Sequence, residues 1–121
     1  MITAVHTLVY AEDPDAARAF FRDVLRWPNV DAENGWLIFG TGPSELGVHP
    51  AEGPPAHEIS LMCDDLDHTI AELAGRGAQF EGDIAERAFG RCVGMRIPGA
   101  GTMLLYQPRH PVAYPLGAPL P

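Results

Sequence analysis

Apolar and polar residues alternate between Ile2 and Tyr10, and this period of two predicts a strand over 2–10. The period then changes. Ala17, Phe20, Phe21, Val24 and Leu25 recur at the spacing of one buried helix face. Asp13 stands where it can cap that helix. Pro14 follows at the first position, where a missing N–H costs nothing. Trp27-Pro28 ends the helix. Short strands are predicted at 29–32, 35–40 and 44–49. Asn34-Gly35 serves as the hairpin turn between the first two, and Gly42-Pro43 separates the last two.

The turn-rich stretch PAEGPPA, 50–56, leads into the same order of periods. A strand is predicted over 57–63. Asp65 caps a helix whose Leu66, Ile70, Leu73 and Ala74 share one face, and Gly75 and Gly77 stop it. Strands follow near 78–82, 90–97 and 101–107, with ERAFG, 86–90, as a loop or irregular strand. Residues 109–121 are proline-rich and without periodicity, which predicts a tail lying on the surface.

The two halves superimpose as sequence. One constant offset of 52 positions places His6 on Glu58, Asp13 on Asp65 and Asp15 on Asp67. The expected fold is therefore α+β: two tandem βαβββ modules, 1–50 and 56–108, within a single domain spanning 1–121. A sheet covered by a helix on one face leaves the other face to be covered. Two such sheets curled toward each other would enclose a cavity lined by corresponding strands.

Composition narrows the function. The chain of 121 residues is long enough for one modest core, and its 46% apolar content is ordinary for a globular protein. Net charge is −8, and all 8 basic residues are arginine. This argues against nucleic acid and against an anionic membrane surface, both of which select clustered basic residues. No apolar run is long enough for a membrane span, and MITAVHTLVY lacks the features of a secretory signal, so a cytoplasmic location is expected. Cys63 and Cys92 have no C-x-x-C partner and are expected to be free thiols.

The stretches VHTLVYAEDPDAARAFFRDVL, HEISLMCDDLDHTIAELAGRG and PGAGTMLLYQP resemble the vicinal oxygen chelate superfamily, which includes glyoxalase I, extradiol dioxygenases and the fosfomycin- and bleomycin-resistance proteins. The resemblance covers nearly the whole chain. It implies metal ligands on the first and last strands of each half, each a His or Glu. His6 and Glu58 match the two first-strand positions, with His57 facing the other way. Glu45 or His49 is the candidate in the last strand of the first half. Leu104 stands where many family enzymes carry a glutamate, so the four-ligand cage is incomplete.

The set His6, His49 and Glu58, two histidines and one carboxylate, suits iron, zinc, nickel or manganese; with Glu45 replacing His49 it leans toward manganese. In the family such an ion stabilises an enediolate or related oxyanion, and a carboxylate such as Glu58 can serve as general base. The alternative is a metal-free protein that sequesters a small molecule in the same groove, as bleomycin-resistance proteins do. Strand alternation offers Tyr10, Trp36, Glu45, Met62, Leu104 and Tyr106 as groove-lining residues. Arg109 and His110 follow the last strand, either at the groove mouth or in solvent, and His68 is expected on the exposed side of its helix. Exposed sheet edges and the resemblance together imply a homodimer.

Overall fold

The computed structural model describes residues 6–116. The capping residues act as the sequence predicts. Asp13 accepts a hydrogen bond from the Ala16 amide at 3.0 Å and opens helix α1, Pro14–Ala19. The helix then widens into a π turn, Phe20–Val24, closed by the Leu25 amide donating to the Phe20 carbonyl at 3.2 Å. Arg26, at φ 60°, turns the chain out of the helix.

Strands β1, Asn29–Asp31, and β2, Leu37–Phe39, form an antiparallel hairpin. Asn34 and Gly35 both take positive φ at its tip, and the Trp36 amide donates to the Glu33 carbonyl. That is the turn chemistry expected of Asn-Gly. The Asp31 carboxylate accepts from the Gly35 amide at 3.0 Å and fixes the loop from inside.

In the second half Asp65 accepts from the His68 amide and caps α2, Leu66–Gly75. Gly77, at φ 98°, ends it. The Gly77 amide donates to Ala74 and the Ala78 amide to Leu73, a Schellman closure in which the C-terminal carbonyls find partners. Strands β3, Ser60–Met62; β4, Phe80–Arg87; β5, Gly90–Arg96; and β6, Thr102–Pro108, make a sheet of order β3-β6-β5-β4. β3 runs parallel to β6, and the other pairs are antiparallel.

One face of this sheet carries the core. Val93, Met95, Met103 and Leu105 pack with Leu66 and Leu73 of α2 and with Ala17, Phe20 and Phe21 of the first half. Helices from both halves thus share one apolar cluster. Two hydrogen bonds reinforce it: the Asp13 amide donates to the Gly99 carbonyl at 3.1 Å, and the Arg76 guanidinium donates to the Val24 carbonyl at 3.1 Å.

Several sequence expectations are corrected. The predicted first strand falls partly on residues 1–5, outside the described residues, and 6–10 are in no strand. The predicted strand 44–49 is also absent. Leu8, Tyr10, Leu46 and Val48 are 60%, 90%, 80% and 86% exposed. These segments alternate correctly, but among the described residues no strand pairs with them, and an unpaired strand has no hydrogen-bonding reason to be one. In the second half the strands are shifted rather than lost. Glu86 and Arg87 belong to β4, which leaves the ERAFG turn at Ala88 and Phe89. Among the described residues no helix is long and apolar enough to cross a membrane.

Candidate functional site

The sheet face opposite the helices carries the residues alternating with the core positions. In register these are Ser60 beside Leu104, and Met62 beside Tyr106, with Gly94 and Cys92 across from that pair on β5. Leu104 and Met62 are half-buried, and Cys92 is buried yet lies outside the helix-side cluster. The centre of this face is therefore apolar. Gly94 leaves it uncovered on β5, where a Cβ would crowd the Thr102 methyl at 3.0 Å.

Polar groups gather at the end of the face where β6 runs into the tail. The Tyr106 hydroxyl lies 3.0 Å from His110 Nε2, and His110 Nδ1 lies 2.7 Å from the Pro111 carbonyl. A carbonyl can only accept, so Nδ1 carries a hydrogen; in the matching tautomer Nε2 is the acceptor for the phenol. Glu45 Oε1 stands 4.0 Å from His110 Nε2. The other oxygen, Oε2, accepts from the Ala113 amide at 2.6 Å and the Tyr114 amide at 3.1 Å. Its side chain is only 17% exposed, although Leu46 beside it is nearly bare. Partial burial, and then the Glu45 charge, raise the Tyr106 phenol above its ordinary pKa. Phe89 meets the Tyr106 ring edge-on at 5.4 Å.

Of the groove-lining residues expected from sequence, Glu45 and Tyr106 thus converge, and Met62 and Leu104 share the open face with Tyr106. Tyr10 is exposed. Trp36 lines a shallow hollow of about 410 Å³ at the hairpin tip, with Ala32, Glu33 and Asn34, and the Arg18 guanidinium lies over its ring at 5.3 Å. His110 was the residue left unplaced by sequence reasoning. Its only signal is its position four residues past Tyr106, because its link to Glu45 bridges segments 65 positions apart. Arg109 does not face the groove. Its guanidinium pairs with the Glu86 carboxylate and donates to the Arg87 carbonyl at 3.3 Å. His68 is exposed, as expected.

The expected metal donors do not assemble in this arrangement. His6, His49 and Glu58 are all exposed, and among the described residues no three His, Cys, Asp or Glu side chains lie close enough to share an ion. Both cysteines are free, and burial raises the Cys63 thiol above its ordinary pKa.

This architecture is the fold of the glyoxalase/bleomycin resistance protein/dioxygenase superfamily. Among solved structures the chain is similar to a lactoylglutathione lyase from Agrobacterium tumefaciens, at 24% identity and TM-score 0.62, over 88% of this chain and 94% of that one. It is similar also to TnmS3, an antibiotic binding protein from Streptomyces sp. CB03234, at 22% identity and TM-score 0.63, over 88% and 97%. A superfamily member from Sphaerobacter thermophilus aligns at 20% identity and TM-score 0.60, over 88% and 98%. No protein-family model matches the sequence, and no curated protein matches it.

Proposed function

We propose that this protein binds a small, partly apolar molecule on the open face of the β3-β6-β5-β4 sheet, without a resident metal. Leu104 carries this reading. It lies between Ser60 and Gly94 in register, and the family resemblance implies a glutamate ligand at or beside this position. An apolar floor with phenol and carboxylate at one end suits a ligand with an aromatic or aliphatic body and a polar tip. The likeness to an antibiotic binding protein of the same fold supports the reading. Leu104→Arg should weaken binding of an uncharged apolar dye such as Nile red about tenfold or more, measured by fluorescence titration, because a methylene-rich contact is replaced by a charge that resists burial.

The metal-dependent reading keeps one specific support, the offset that puts His6 on Glu58. It requires His6, Glu58 and either Glu45 or His49 to be drawn together by pairing of segments 6–10 and 44–49, within one chain or between two. A divalent ion there would supply Lewis acidity toward an oxyanion. Thermal melts of the natural protein and Glu58→Gln, with and without zinc, manganese, nickel or ferrous iron, decide between the readings. Only a native-state binder raises the melting temperature. The metal-free reading expects no metal-dependent shift in either protein; a shift in the natural protein that is lost in Glu58→Gln overturns it.

We also propose a homodimer as the working form, in which the exposed apolar residues of the first half are covered by a second copy.

A further inference from the structure

We propose that the segment His110–Leu116 is a built-in strap that occupies the polar end of the groove and must be displaced before a ligand can use Tyr106 and Glu45. This rests on the groove reading above. Both polar handles are already engaged by the tail: Tyr106 by the His110 ring at 3.0 Å, Glu45 by the Ala113 and Tyr114 amides at 2.6 and 3.1 Å. The strap has a fixed root. The Arg109 amide donates to the Phe89 carbonyl at 2.8 Å, and the Arg109 guanidinium is tied to Glu86. Beyond the root its hold is light. Residues 111–116 are exposed, and the far end is a single 3-10 turn, Tyr114–Leu116.

Its sequence favours release over permanent docking. Pro111 and Pro115 remove two backbone donors, so the strap cannot zip onto a strand edge as a fifth strand. What remains is a capping contact, one carboxylate receiving two amides at the start of a helical turn, and one phenol–imidazole bond. The phenol–imidazole bond has the modest net strength of an ordinary hydrogen bond, while the two amides on the carboxylate are charge-assisted and form the stronger part of the hold. A ligand that brings its own donor to Glu45 and acceptor to Tyr106 replaces them without leaving either group unpaired.

The test alters the strap and leaves the groove intact. Ala113→Pro deletes the shorter amide donor, and His110→Phe keeps the ring but removes the acceptor. A strap closed about nine-tenths of the time lowers apparent affinity about tenfold, so either change should raise affinity for the dye several-fold and the double variant about tenfold. Hydrogen exchange at the Leu116 amide, which donates to the Ala113 carbonyl, should accelerate in the same variants. Dye binding that responds to Leu104→Arg but not to the strap variants overturns the strap and keeps the groove. Dye binding indifferent to Leu104→Arg overturns the groove and the strap with it. Unchanged Leu116 exchange in both strap variants also overturns the strap, since the contacts removed were then not holding it.

Discussion

Individual residues are most sharply constrained where the backbone leaves no room. Gly90 opens β5 at φ 155°, and a Cβ on it would run into the Gln107 carbonyl oxygen of β6, which is backbone and cannot move aside without breaking the ladder. Gly90→Ala should therefore cost about 2–3 kcal/mol by urea denaturation. The same change at Gly53, where nothing lies within 4 Å, should be close to neutral and serves as the control. Glu45 shows the opposite kind of constraint. Alternation in SELGVH separates the glutamate from Leu46 and Val48 and offers it to the groove, and the structure keeps it partly buried while its leucine and valine neighbours stay out. What holds it there is two tail amides nearly seventy positions away, and of that tie residue alternation carries no trace.

At the scale of elements, legibility follows locality. Helix α2 was readable to within a residue because its cap, its apolar stripe and its glycine stop all lie inside one short window, and each acts through its own neighbours. The β1–β2 hairpin was readable for the same reason, through Asn34-Gly35. Segments 6–10 and 44–49 were misread because a period of two states that a chain has two different faces, not that another strand runs beside it. Ties between elements were likewise invisible in sequence. Arg91 bridges Asp67 of α2, at 2.9 Å, and Glu86 of β4, at 3.0 Å, and Arg109 joins through Glu86. The Arg91 hydrogen bonds, and then its charge, hold the Asp67 carboxyl below its ordinary pKa. A carboxyl lowered in the folded state stabilises the fold above its unfolded value, near 3.9, and that contribution disappears as pH falls through the lowered native value. Asp67→Asn should thus flatten part of the fall in melting temperature between about pH 5 and pH 2, and leave the melt at pH 7 only slightly lower, because the pair is exposed.

For the whole molecule, the distribution of exposed apolar side chains is uneven, and it bears on the proposed dimer. Val30, Trp36, Ile38, Leu46 and Val48 are 65%, 67%, 43%, 80% and 86% exposed, all in the first half, whereas the sheet of the second half buries its apolar residues between strands and helices. A monomer with so many large apolar residues in one half carries an interaction surface rather than ordinary scatter. The second half also provides the pattern for completion, since β3, the counterpart of segment 6–10, lies parallel to the last strand of its module. A second copy offering its own unpaired segments would let both first halves acquire the pairing that both second halves already have, and a two-fold arrangement satisfies both at once. Sedimentation equilibrium should accordingly give twice the chain mass at micromolar concentration. Trp36→Glu combined with Ile38→Glu should return the protein to a monomer, because two charges would then have to be buried unpaired. The four-stranded sheet of the second half is separate from the β1–β2 hairpin that carries these positions, so its near-native circular dichroism should survive. A natural protein that sediments as a monomer at all concentrations would remove the dimer and require that segments 6–10 and 44–49 be covered from within the chain.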